Sequence, residues 1–173
     1  LELQLYRTEE WRKQWLELLI KAERGEIDLV FAPDLTKLPE TFAKTLLGRD
    51  GELTRLRGYW DSESVNIAAL DAMGGAGKTA LAENFTYALI NGSEEYGIKK
   101  ADDIEAAYAW SFYSQGSNED RQTSAEDFFV GAYKYFRLGQ PPKEVGAKAE
   151  PLARAIQRQK TLLILDGLEP LQY

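Results

Sequence analysis

Hydrophobic residues follow two patterns along this chain, and each pattern predicts a different kind of element. Short, largely apolar runs have the length of buried strands; they lie at 65–70, 106–112 and 161–165. Elsewhere apolar residues recur at a spacing of three or four, which predicts helices; these cover about 50–60, 78–90, 124–136 and 147–158. Asp50 is the predicted N-cap of the first of these helices. Strands that alternate with helices predict an α/β fold, with a parallel sheet covered on both faces.

The first 45 residues are predicted to form a separate N-terminal region. Apolar residues at helical spacing, among them Trp11 and Trp15, predict an amphipathic helix over about 8–25. The two tryptophans are interpreted as packing residues rather than as a ligand cage. Residues 32–44 hold two prolines among polar residues, which is typical of a connector. We therefore predict an N-terminal helical region at 1–45 and a core domain at 46–173.

A glycine-rich loop follows the apolar run at 65–70. Three glycines occur within residues 74–77, and Lys78 and Thr79 then open a helix. Glycines let consecutive backbone N–H groups turn toward a phosphate, and a helix N-terminus favours an anion. In such a loop the lysine reaches the β- and γ-phosphates and the threonine hydroxyl binds Mg²⁺. Ala72 replaces the first glycine of the usual G-x-x-x-x-G-K-[ST] pattern, and the alternative is a glycine-rich turn that binds nothing.

The apolar run at 161–165 ends in a carboxylate, Asp166, which is the second candidate for a site. With a phosphate-binding loop in the same sheet, an acid at this position would hold Mg²⁺ through water. Glu169 follows three positions later. It could orient or deprotonate an attacking water, or it could be a solvated loop acid. The polar loop 114–118 follows the middle strand and either faces the ligand or a partner, or is solvated.

The composition of the chain limits the kinds of catalytic side chain and binding partner that it can have. The 173 residues are 44% hydrophobic and 28% charged, which suits one domain with a real core. The net charge of −7 argues against general nucleic-acid binding and against an anionic membrane surface. The chain has no cysteine and no histidine, so acid–base chemistry falls to carboxylates, lysine or bound water. Because no apolar run approaches the roughly 20 residues of a membrane span and no signal-peptide pattern opens the chain, we expect a cytoplasmic protein.

Taken together, the motifs resemble those of the nucleotide-binding domain of STAND NTPases, the signalling ATPases that include the NB-ARC and NACHT families. Four segments in this order carry the resemblance: Gly48 to Leu53, Ala72 to Ala82, Trp110 to Gln115, and Leu165 to Glu169. The Walker A loop and the Trp-Ser-Phe-Tyr-Ser-Gln stretch look more like NB-ARC, whereas the Asp-Gly-Leu-Glu ending of the Walker B segment looks more like NACHT. The choice between the two families stays open.

The resemblance implies a P-loop NTPase three-layer sandwich and a set of site residues. Gly48 and Arg49 would lie near the adenine and ribose of ATP or ADP, Asp166 and Thr79 would organise Mg²⁺, and Glu169 would be the catalytic acid. The implied nucleotide-binding residues are Gly48, Arg49, Met73, Gly74, Gly75, Ala76, Gly77, Lys78, Thr79 and Ala80.

The resemblance also implies a function, namely an ATP/ADP-driven switch. Exchange of ADP for ATP would permit self-association and activate an effector, with both trigger and effector unknown and turnover slow. We expect the chain to be a piece of a longer protein, of a bacterial defence or signalling kind. In the family, the strand after Walker B lies between the Walker A and Walker B strands, so we expect the sheet here to be incomplete.

Two other functions stay open at this point. The chain could be a scaffold that holds ADP or ATP and hydrolyses neither. It could also be a metabolic P-loop enzyme such as a small-molecule kinase, although no acceptor pocket is visible in the sequence.

Overall fold

The computed structural model describes residues 32–39, 46–113, 125–144 and 146–168. Within these ranges the chain forms three strands and four helices. The strands are β1 (Asp34–Lys37), β2 (Ala106–Ser111) and β3 (Thr161–Asp166). The helices are α1 (Asp50–Asp61), α2 (Lys78–Asn91), α3 (Ala125–Tyr135) and α4 (Ala149–Gln157). The predicted α/β class with a parallel sheet is confirmed.

The three strands form one parallel sheet in the order β1–β2–β3. The register of β2 with β3 is regular from Ala106 opposite Thr161 to Ser111 opposite Asp166. The predicted positions of these two strands are confirmed, because both begin and end within a residue of the apolar runs. Since they are parallel and in register, their carboxyl ends meet at one edge of the sheet.

Helices cover both faces of this sheet, and each face has its own hydrophobic cluster. One cluster joins the even-numbered side chains of β2 to α3 and α4, with Tyr108, Trp110 and Phe128 as its large members. The other joins α1 to α2 through Leu53 and Leu89. Leu163 of β3 packs on the first cluster and Leu162 on the second. Successive strand residues point to opposite faces, so the helices lie on the two sides of the sheet.

β1 corrects one prediction. The interval 32–44 was predicted to be a connector, yet Asp34–Lys37 forms an edge strand parallel to β2. Four residues with one apolar side chain give no periodic signal; this strand exists because β2 offers backbone partners. It lies before the predicted domain boundary at residue 45, so the sheet includes a strand from the N-terminal region, while the boundary itself stays a prediction.

The apolar run at 65–70 corrects a second prediction. It was expected to be a buried strand, but within the described residues it forms no ladder, and Ile67 is 88% exposed. A strand needs a neighbouring backbone for its hydrogen bonds and two layers to bury its side chains. In the part of the chain that the structure describes, β3 pairs with β2 alone.

The helices otherwise agree with the predictions. The predicted helices at 78–90, 124–136 and 147–158 are α2, α3 and α4, and the helix near 50–60 is α1. Asp50 does not cap α1, because Arg49 is the N-cap residue and no side chain caps that end. The predicted helix at 8–25 lies outside the described residues. Among the described helices, none is long and apolar enough to cross a membrane.

Candidate functional site

The glycine loop before α2 is a tight turn held by its own backbone. The N–H of Ala76 donates to the carbonyl oxygen of Met73 at 3.2 Å. Gly75 and Gly77 adopt left-handed φ values of 77° and 83°, which a side chain disfavours. Gly77 is the N-cap residue of α2, and its carbonyl accepts the first helical hydrogen bond, from Leu81 at 2.9 Å. The loop therefore leads straight into a helix N-terminus, whose first N–H groups have no partner within the helix.

Lys78, the first residue of α2, folds back over this loop. Its Nζ donates to the carbonyl oxygen of Ala72 at 2.6 Å and lies 3.3 Å from that of Met73. The ammonium group is thus placed at the loop by backbone acceptors rather than by an acidic side chain. An anion bound in the loop would offer this cation a stronger, charge-assisted partner.

Thr79 and Asp166 come together although 87 positions separate them. The Thr79 hydroxyl donates to Oδ1 of Asp166 at 3.0 Å. Asp166 is the last residue of β3 and Thr79 is the second residue of α2. The structure therefore brings the two predicted metal-binding residues into direct contact at the carboxyl edge of the sheet.

Ser111 is a third member of this polar contact, although its sequence context predicts no role for it. It is the last residue of β2, stands opposite Asp166 in the sheet and is only 5% exposed. Its hydroxyl donates to Oδ2 of Asp166 at 3.1 Å and accepts from the backbone N–H of Tyr113 at 3.3 Å. The sequence marks Ser111 only as a polar residue at the end of an apolar strand.

Arg49, at the start of α1, contacts the glycine loop. Its Nη2 donates to the carbonyl oxygen of Ala76 at 2.9 Å, and its Nη1 donates to Glu52 at 2.7 Å. The hydrogen bond from Arg49 holds the pKa of the Glu52 carboxyl below its ordinary value. Two cations, Arg49 and Lys78, therefore contact carbonyl groups of one loop. Gly48, just before Arg49, has a φ of 68°.

The remaining predicted residues are placed less directly. Met73 is 86% exposed, and Ala80 is buried in the first turn of α2, so each can offer a ligand only its backbone polar groups. Gly74 lies in the turn with open space around it. Glu169, the predicted catalytic acid, and the predicted polar loop 114–118 lie outside the described residues.

The donors at this edge suit a polyanion, and the oxygens suit a hard cation. Phosphate is favoured by Lys78, by the glycine turn and by the first N–H groups of α2, which have no partner within the helix, while the Thr79 hydroxyl and the Asp166 carboxylate are ligands that Mg²⁺ accepts. Within the described residues, no group of three or more acidic, histidine or cysteine side chains could hold a metal. A metal ion here would complete its coordination with water and ligand oxygens, as Mg²⁺ commonly does.

Comparison with known proteins adds nothing to this site. The chain matches no family model, no curated protein and no solved structure.

Proposed function

We propose that this chain binds an adenine nucleotide, ATP or ADP, with Mg²⁺ at the glycine loop. The single observation that carries the proposal is the 3.0 Å hydrogen bond between Thr79 and Asp166. It joins two motifs that lie 87 positions apart in the sequence, the candidate phosphate-binding loop with its helix and the strand that ends in an acid. A glycine-rich turn that binds nothing has no need of a carboxylate at this position.

The local geometry supports a phosphate ligand. The left-handed glycines hold the loop ahead of a 14-residue helix, whose dipole favours an anion at its start. The nearby cations, Lys78 and Arg49, rest on backbone carbonyls that a phosphate oxygen could replace as acceptor. Thr79 and Asp166 would hold Mg²⁺, which would supply positive charge to neutralise part of the charge of the phosphates.

The wider proposal is a switch module of a STAND signalling ATPase with a P-loop NTPase fold. The order of the elements around the site supports it: a glycine loop, a helix, and two parallel strands, of which β3 ends at the start of that helix. Within the described residues the run at 65–70 forms no ladder, which fits a family in which another strand lies between the Walker A and Walker B strands. In this proposal the protein is cytoplasmic, and nucleotide exchange controls self-association and the activation of an effector.

A scaffold that holds the nucleotide without turnover is the second candidate. The described part of the site supplies groups for phosphate and metal, whereas the acid proposed to act on water is Glu169. Replacement of Glu169 by Gln separates the two functions. A switch ATPase should keep ADP affinity and lose phosphate release, while a scaffold should show no phosphate release in either form. A phosphotransfer screen that consumes ATP only when an acceptor is added would instead support a kinase.

The first test is thermal unfolding with Mg²⁺ and saturating ADP, ATP or GTP. A ligand at a hundred times its dissociation constant stabilises the folded state by about 2.7 kcal/mol. For a chain of this size that corresponds to a rise in Tm of about 5–10 °C. We expect this rise with ADP and ATP for the unchanged chain, and for Lys134→Ala, which removes an exposed lysine of α3 far along the sequence from the loop.

Lys78→Ala is the informative variant. It should unfold at the same temperature as the unchanged chain without nucleotide and gain less than a third of the nucleotide-induced rise. An equal rise in Lys78→Ala and Lys134→Ala would show that nucleotide binds elsewhere. The absence of a rise in all three proteins would overturn the proposed function. For the switch, sedimentation with ATP against ADP should show self-association with ATP alone.

A further inference from the structure

We propose that Ser111 is a positioning residue for the Asp166 carboxylate, and through it for the metal ion; this rests on the proposed function. Nothing in the sequence pattern gives Ser111 this role. The inference comes from the way in which the sheet register places one hydroxyl beside one carboxylate.

The register of the sheet places Ser111 and Asp166 side by side. Ser111 and Asp166 are the last residues of adjacent parallel strands and stand opposite each other. Because the five preceding pairs of β2 and β3 are also in register, neither residue can move along its strand without disrupting the ladder. A one-residue shift of β2 would place Trp110 or Phe112 opposite Asp166 and turn the Ser111 side chain to the other face of the sheet.

The two oxygens of the Asp166 carboxylate accept hydrogen bonds from two different elements, α2 and β2. Oδ1 of Asp166 accepts from Thr79 at 3.0 Å, and Oδ2 accepts from Ser111 at 3.1 Å. The Ser111 hydroxyl is itself oriented, since it accepts from the N–H of Tyr113 at 3.3 Å. With Oδ2 held from the sheet side, rotation of the carboxylate is restricted and Oδ1 keeps facing the start of α2.

This arrangement has a consequence for metal binding. A carboxylate with a fixed orientation binds a cation at a lower cost in side-chain entropy than a freely rotating one. Residues that orient a metal ligand typically contribute about 10- to 100-fold to metal affinity. Ser111 should therefore affect the response to Mg²⁺ and leave the contacts of the phosphates with the loop unchanged.

The test measures ADP binding by the whole chain as Mg²⁺ is titrated, with an EDTA series as the metal-free reference. For Ser111→Ala we expect the Mg²⁺ concentration at half effect to rise about tenfold or more, with ADP affinity in EDTA within twofold of the unchanged chain. Ser111→Thr keeps the hydroxyl and should stay within about threefold in Mg²⁺. The EDTA series also shows whether each variant is folded.

Each possible outcome of this titration supports or overturns the positioning role of Ser111. An unchanged Mg²⁺ response in Ser111→Ala overturns the role of Ser111 while nucleotide binding stands. An equal loss in Ser111→Thr and Ser111→Ala also overturns it, because the hydroxyl would then not be responsible. If Ser111→Ala does not bind ADP in EDTA, Ser111→Cys, a weak donor of similar size, replaces it in the same comparison. No ADP binding by the unchanged chain overturns both the role of Ser111 and the proposed function.

Discussion

Gly131 allows α3 to pack against β2, and its replacement by alanine gives a sharp test of that packing. A methyl group built on Gly131 would lie 2.6 Å from the Tyr108 hydroxyl oxygen and 2.9 Å from a ring carbon of Trp110. Both rings are at least 95% buried and belong to the aromatic cluster beneath α3. They cannot swing into solvent, so the added methyl group must displace the cluster or the helix.

The change in the free energy of unfolding that Gly131→Ala causes is the sum of two opposing contributions. Alanine in the interior of a helix is favoured over glycine by about 1 kcal/mol. Extra volume in a well-packed core costs about 1–3 kcal/mol. Gly131→Ala should therefore lower the free energy of unfolding by up to about 2 kcal/mol, or leave it nearly unchanged if the helix term offsets most of the strain.

Gly58 provides the matched control. It is an exposed interior residue of α1, and a methyl group there would meet no atom within 4 Å. Gly58→Ala keeps the favourable helix term without the strain, so it should stabilise the chain by about 0.5–1 kcal/mol. Subtraction of the two variants cancels the helix term and leaves the steric cost of about 1–3 kcal/mol.

Urea unfolding followed by tryptophan fluorescence measures this difference, since Trp110 lies at the contact itself. The midpoint should rise for Gly58→Ala and stay nearly the same or fall for Gly131→Ala, with the slope unchanged. Equal stabilisation by both variants would refute the reasoning, because Gly131 could not then lie against Tyr108 and Trp110.

Two further predictions concern stability. Leu53 is completely buried between α1 and α2, so Leu53→Ala should lower the free energy of unfolding in urea by about 2–5 kcal/mol. Leu47 is 89% exposed, so the control Leu47→Ala should change that free energy by less than about 0.5 kcal/mol. Burial raises the pKa of Tyr135 to about 12 and raises that of Tyr108 as well. The unfolded phenols ionise near pH 10, so the stability that these two phenols contribute should be fully present below about pH 10 and be lost between about pH 10 and 12, by up to about 2–3 kcal/mol for Tyr135 alone. Tyr135→Phe should flatten that fall, and an equal fall in this variant would contradict the assignment.

The elements that sequence patterns predicted correctly are those whose pattern is complete within the segment itself. β2 and β3 are strands of six residues that end in a polar side chain, and α2 begins where a glycine turn stops. Lys78 and Thr79 were therefore placed at the helix start, and Asp166 at the end of a strand, before any tertiary information was used. The expectation that Thr79 and Asp166 share one metal ion came from the motifs and the family resemblance, whereas the strand expected at 65–70 forms no ladder within the described residues.

The elements that sequence patterns missed depend on partners outside the segment. The run at 65–70 has the composition of a strand, but composition supplies no hydrogen-bond partner, and Ile67 lies exposed. β1 shows the reverse case: Asp34–Lys37 lacks a strand pattern, yet β2 offers it a backbone to pair with. The contact of Arg49 with the Ala76 carbonyl likewise depends on how α1 packs beside the loop.

The hydrogen bond between Ser111 and Asp166 could not be predicted from the sequence. The end of β2 could be placed to within a residue from its apolar run, but a hydrogen bond to Asp166 requires the exact partner across the sheet. One residue of slippage would bring Trp110 or Phe112 opposite Asp166 and leave its Oδ2 without the hydroxyl. In a parallel pair the register is not determined by a short turn; it is determined by how the crossing helices pack on the sheet. The aromatic cluster between β2, α3 and α4 therefore contributes to the site, because it holds the register that aligns Ser111 with the carboxylate.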